Sequence, residues 1–156
     1  EADPAPSPVQ QPAAVLDQKD YYFTPHVLVI PPGQTFRIAN SDPVAHDVRA
    51  FMGPKMLFRL DMGPGDLPVD KNWQEPGIYV IRCGLHHWMH GYIIQSTTPF
   101  YAVTDGEGRF RIDNIPPGDY TLRIWHETLG QTDQALPFMA SLTDFAYTFS
   151  TTHKAA

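Results

Sequence analysis

The densest chemistry in the chain lies in eight consecutive residues, Cys83-Gly84-Leu85-His86-His87-Trp88-Met89-His90. A thiol, an imidazole and a thioether follow one another at C-x2-H-x2-M spacing. Donors three residues apart can meet on one ion where the chain turns sharply, and Gly84 eases such a turn. Soft sulfur donors beside imidazole select copper over magnesium or calcium, which take oxygen. Zinc fits less well, since its structural sites use Cys and His and rarely Met. The loop needs one more strong donor. His46 offers it, in Asn40-Ser41-Asp42-Pro43-Val44-Ala45-His46-Asp47-Val48, with its side chain on the same face as apolar Val48. Two imidazoles, a thiolate and a distant thioether are the donors of a trigonal blue-copper site. His87 and His90 crowd the same loop and leave two rival sets open: Cys83, His86, His90 and Cys83, His87, His90. His126 is a further candidate donor, weighed against a strand-end histidine bonded to a backbone carbonyl.

The elements that must position these donors are short strands. Pro (16) and Gly (11) interrupt almost every stretch, and no segment keeps a helical apolar period for three turns. Period-two alternation recurs instead. Phe36 and Ile38 alternate with Arg37 and Ala39. His46, Val48 and Ala50 oppose Asp47 and Arg49, and Tyr79, Ile81 and Cys83 share one face. Val27 to Ile30 and Tyr92 to Ile94 are strand-sized apolar runs. Such strands between Pro/Gly turns predict an antiparallel sandwich or barrel. A second set is expected after Pro99: strands at Tyr101–Val103 and Phe110–Ile112 around the turn Thr104–Gly108. The turn Pro116–Asp119 and a strand with Tyr120, Leu122, Ile124 and His126 on one face follow, and Phe145, Tyr147 and Phe149 close the set. About four strands are too few for a self-sufficient sandwich, so this unit is expected to pack against the first.

Order and spacing over residues 20–97 resemble the cupredoxins, most closely the small plastocyanin-like bacterial ones. The likeness rests on Tyr22-Phe23-Thr24-Pro25, on Pro32-Gly33-Gln34-Thr35-Phe36 leading to Asn40 and Asp42, on His46, and on Pro76-Gly77-Ile78-Tyr79 running into Cys83, His86 and Met89. The resemblance implies a Greek-key β-sandwich with one type 1 copper ion at one end. By motif it makes His46, Cys83 and His86 the equatorial ligands and Met89 the axial one. The family often has Asn where this chain has Asp47. Residues 98–150 resemble the back half of carboxypeptidase-regulatory-like, transthyretin-like β-domains, through Thr104-Asp105-Gly106-Glu107-Gly108-Arg109-Phe110 and Pro116-Pro117-Gly118-Asp119-Tyr120-Thr121-Leu122. The expected organisation is a flexible Pro-rich leader at 1–19, a copper domain at 20–97, a small β-unit at 98–150 packed on it, and a tail at 151–156.

Composition bounds the function. Lys and Arg number 11 against 17 Asp and Glu, a net charge of −6. That disfavours nucleic acid and anionic membranes, and would steer a redox partner with a basic face, such as a cytochrome or a copper enzyme. No apolar run approaches the roughly 20 residues of a membrane span. The leader, with Pro at 4, 6, 8 and 12, reads as the remnant of a removed signal peptide, and so as export to the periplasm. With one Cys no intramolecular disulfide forms. The expectation is a periplasmic, monomeric electron carrier, not an enzyme: the seven histidines include no His-x-His pair of the kind that builds further copper clusters. A copper-sequestering or copper-delivering role is the alternative. It is motivated by His87, His90, His126 and the methionines Met52, Met56 and Met62. The electron port would be His86, rimmed by Met52, Met56, Leu85 and Trp88.

Overall fold

The computed structural model describes residues 14–31, 33–73 and 75–138. These form eleven strands and, among the described residues, no helix. Two sheets make the first unit. One has the order β2-β1-β4-β7, from Tyr22–Thr24, Ala14–Lys19, Phe36–Asn40 and Val69–Lys71. The other has the order β3-β9-β8-β5-β6, from Val27–Ile30, His90–Gln95, Gly77–Cys83, His46–Met52 and Lys55–Met62. Pairs β1/β4 and β3/β9 run parallel and the rest antiparallel. The fold is an all-β sandwich.

Alternation builds its core. Leu16, Phe36 and Ile38 come from the first sheet, and Ile30, Val48, Ala50, Tyr79, Ile81 and Ile93 from the second; all are buried. Burying each large side chain stabilises the fold by roughly 1.5–3 kcal/mol. Trp73 stacks on Tyr79 with centroids 3.8 Å apart.

Residues 14–19, expected in the leader, belong to the sandwich. Ala14–Lys19 is strand β1, paired in parallel with β4. Its Leu16 and Gln18 point inward and are fully buried, as the period of two dictates. Strand β6 was also unforeseen. It pairs with β5 from His46↔Met62 to Met52↔Lys55, so the methionine-rich stretch is a hairpin.

Contacts divide the chain into two units, Glu1–Ile112 and Asp113–Ala156, so the boundary expected at 97/98 lies inside the first. The strands expected at Tyr101–Val103 and Phe110–Ile112 do not form. The turn between them does: the Asp105 N–H donates to the Arg109 carbonyl at 2.9 Å, and the Asp105 carboxylate takes the Glu107 and Arg109 N–H groups. Side chain to backbone bonds close this loop by themselves, without a ladder on either flank. In the second unit, β10 (Gly118–His126) and β11 (Gly130–Phe138) form a hairpin. Tyr120, Leu122 and Ile124 take the more buried face, as the alternation predicts. The strand expected around Phe145, Tyr147 and Phe149 and the tail with His153 lie outside the described residues.

Candidate metal centre

Strand β8 ends at Cys83 and β9 begins at His90, so the donor-rich loop is the β8–β9 connection. It closes on itself. The Cys83 N–H donates to the Met89 carbonyl at 3.1 Å, and the Met89 N–H to the His86 carbonyl at 2.9 Å. The Gly84 N–H donates to the Asp47 carbonyl at 2.8 Å, which pins the loop to the start of β5. A Cβ at position 84 would overlap both the Arg49 guanidinium and the Asp47 carboxylate, so any larger residue there must displace one of them.

His46 opens β5, and Val48 pairs with Cys83 across the ladder. The side chains of His46 and Cys83 therefore meet at one end of the sandwich. His46 Nδ1 lies 3.8 Å from Cys83 Sγ, His86 Nδ1 lies 3.7 Å from the same sulfur, and the two Nδ1 atoms are 3.1 Å apart. The point equidistant from the three atoms of that triangle is about 2.1 Å from each, within the roughly 2.0–2.3 Å of N and S bonds to a first-row metal ion. The His86 N–H reaches Cys83 Sγ at 3.4 Å. His46, Cys83 and Met89 are buried and His86 is half-buried.

The tautomer of His46 follows from its other nitrogen. Nε2 lies 2.9 Å from the Asp42 carboxylate. An ionised carboxylate only accepts, so Nε2 carries the proton and the Nδ1 lone pair faces the triangle. Burial pushes the Asp42 pKa up, but the Tyr21 N–H, His46 and the Asp20 N–H together outweigh it, leaving the group below its ordinary value.

The chain matches no protein-family model, and no curated protein matches it. Among solved structures, the copper-containing nitrite reductase of Thermus scotoductus superposes with TM-score 0.50 at 25% identity, over 57% of this chain and 23% of that one. The chain thus spans about a quarter of that enzyme's length. In this chain the sandwich brings His46, Cys83 and His86 together at one end. The fold is that of a cupredoxin. Two smaller proteins also superpose: a purple cupredoxin of Nitrosopumilus maritimus (25% identity, TM-score 0.47, 53% of this chain and 99% of that one) and the amicyanin of Paracoccus versutus (22%, 0.49, 57% and 86%).

Asp47, beside His46, holds its surroundings by ion pairing. It is buried and accepts from Arg49 Nε at 3.0 Å, from a second Arg49 nitrogen, and from Arg59 Nε at 3.1 Å. The Arg49 bond is the main reason that its pKa lies below the ordinary value. Its backbone carbonyl meanwhile holds Gly84.

The rival histidines stand elsewhere. His87 Nε2 lies 3.2 Å from the Gly84 carbonyl, and His90 Nδ1 lies 3.0 Å from the Trp88 carbonyl; both rings are exposed. Neither belongs to the converging set, which is His46, Cys83 and His86. His126 belongs to the second unit, where its Nδ1 takes the Thr128 N–H at 3.2 Å in the hairpin turn. That ring nitrogen accepts from a backbone donor, where the strand-end reading has the ring donate to a carbonyl.

Met52 and Met56 do not rim the site. They lie at the far end of β5 and β6: Met52 is six residues along the strand from His46 and Met56 is opposite Phe51, five along, which is roughly 17–20 Å at about 3.3 Å per residue. Met62, opposite His46, is buried and takes a bond from Gln18 Nε2 at 3.4 Å. The aromatic neighbour that the sequence did not disclose is Tyr21. Its ring sits edge-on to His86 at 5.2 Å and to His46 at 6.1 Å, with Trp88 at 6.5 Å. Tyr21 occupies a left-handed turn between β1 and β2 (φ 62°), and its N–H and that of Asp20 donate to Asp42 at 3.0 and 2.7 Å. A Tyr-Tyr doublet after Lys19-Asp20 was the available signal.

Proposed function

We propose that this protein is a type 1 copper protein that carries single electrons between redox partners outside the cytoplasm. The observation that carries the reading is the triangle of donors, with sides of 3.1, 3.7 and 3.8 Å. His46, Cys83 and His86 would be the equatorial ligands, with the buried Met89 as the axial one. Copper bound there supplies reversible one-electron exchange, and a His2Cys set with a weak Met is the donor chemistry that suits it. The chain's part is to hold those donors still. Asp42 fixes His46, the closed loop fixes Cys83 and His86, and Gly84 locks the loop to β5. Four protein donors fill the site, which favours electron transfer over turnover of a substrate. Electrons would pass at the His86 edge, beside Tyr21 and the exposed Leu85 and Trp88. Among the described residues no helix is long and apolar enough to cross a membrane.

Copper(II) titration tests the reading. One equivalent should bring up an intense visible thiolate-to-copper band with a narrow EPR hyperfine pattern, and Cys83→Ala should remove the band. A band that survives in Cys83→Ala overturns the assignment. Several tight coppers per chain would mean storage in place of electron transfer.

A further inference from the structure

The outer face of the second sheet carries a row of cations that the metal site does not use. Arg59, Arg49 and Arg82 stand directly opposite one another across β6, β5 and β8, through the pairs Arg49↔Arg59 and Arg49↔Arg82. Like charges in register are destabilising unless something offsets them. Two carboxylates offset two of the three: Asp47 bridges Arg49 and Arg59, and Asp61 pairs with Arg59 at 3.0 Å. Arg82 is exposed and, among the described residues, has no carboxylate at ion-pair distance. Clefts open on both sides of it. One, of about 250 Å³, is lined by Arg49, Phe51, Arg82, Cys83, Gly84 and His87. The other, of about 240 Å³, has Arg82 and His87 beside Tyr92.

We propose that this arginine row is the docking surface for an acidic protein face, a patch of carboxylates on the partner that exchanges electrons with this chain. Charge complementarity is the argument. The chain as a whole carries −6, so an acidic partner is repelled by the chain at large and drawn to the guanidinium that, among the described residues, has no carboxylate of its own, Arg82 beside Arg49, which sets orientation as well as encounter rate. The expectation that a net negative chain seeks a basic partner therefore inverts at this stripe. Cys83 lines the first cleft although it is only 4% exposed. A carboxylate face seated on Arg49 and Arg82 would lie against the strand that carries the ligand sulfur. The redox purpose of the contact rests on the copper reading; the contact itself does not.

The test is an amide NMR titration of the full-length metal-free chain with hexaglutamate, run beside inorganic phosphate. Hexaglutamate should shift the amides of residues 49, 59 and 82–84 saturably. Binding should weaken about tenfold when ionic strength rises to about 0.3 M, and about tenfold again in Arg82→Glu, while Arg82→Lys stays within about threefold of the parent. Equal shifts with phosphate would mean an adventitious ion only. That result, shifts centred elsewhere, or an Arg82→Glu protein that binds as before overturns the proposal. Arg82 is exposed and outside the core, so its variants fold. Because no metal is present, failure here is separate from failure of the visible band.

Discussion

Asp47 shows how one side chain ties stability to the site. Two guanidiniums converge on its buried carboxylate, and its backbone carbonyl holds the ligand loop at Gly84. Asp47→Asn keeps the shape but removes the charge that both arginines address, leaving them facing each other across the ladder. A loss of about 2 kcal/mol is expected, measured by urea unfolding. The pH dependence has a defined sign. The Asp47 pKa is depressed in the fold, chiefly by its Arg49 bond. Its contribution is therefore complete above the ordinary carboxyl value of 3.8 and is lost as pH falls from there through the depressed value. Unfolding free energy measured between pH 5 and about 2 should drop less steeply in Asp47→Asn than in the parent; parallel curves would remove Asp47 from the account. At this scale the sequence disclosed the donors well, because Cys, His and Met at three-residue spacing have few other uses. It did not disclose Tyr21, whose place depends on a turn held by Asp42 from 21 residues away. Nor could it separate His86 from His87, which are adjacent in the chain and differ only in which way the loop turns them.

At the scale of elements, the β8–β9 loop and the start of β5 act as one body. The joint is Gly84, where backbone meets backbone and a methyl group has no room. Gly84→Ala must displace Arg49 or Asp47, or lift the loop. Overpacking of this kind costs about 1–3 kcal/mol. The same substitution should broaden the visible band and speed copper loss to a chelator, since the loop that holds Cys83 and His86 loses its anchor. A Gly84→Ala protein with unchanged melting and unchanged copper release would show that the joint is not there. Elements bounded by clear alternation, such as Phe36–Asn40 and Gly77–Cys83, were readable from residue pattern alone. Strand β1 was hidden by the Pro-rich run before it. Strand β6 was hidden because Lys55–Met62 alternates weakly, as an edge strand exposed on one side does. The strands expected around Asp105 failed for the opposite reason: their turn satisfies its own polar groups and asks nothing of its flanks.

Across the whole molecule, every element that builds the candidate site lies in the first unit. Its buried apolar residues run from Leu16 to Ile93, its last strand ends at Gln95, and all four donors fall between His46 and Met89. Among the described residues the second unit contributes a two-stranded hairpin, and a two-stranded hairpin by itself is marginal in water. Hydrophobic burial is the main favourable contribution to folding, so stability should follow where the buried side chains are. A chain ending at Ile112 keeps nine strands, both sheets and the loop closures that set the donor triangle. It should show the far-UV signature of the parent sandwich, melt within about 5 °C of the full chain, and take up one copper with the same visible band. Loss of the band in a truncated chain that still melts cooperatively would mean that residues beyond Ile112 help to hold the donors. Failure to fold at all would mean that the sandwich leans on them for its core. Both outcomes contradict a division in which the first unit carries both the copper chemistry and the burial that keeps its ligands in place.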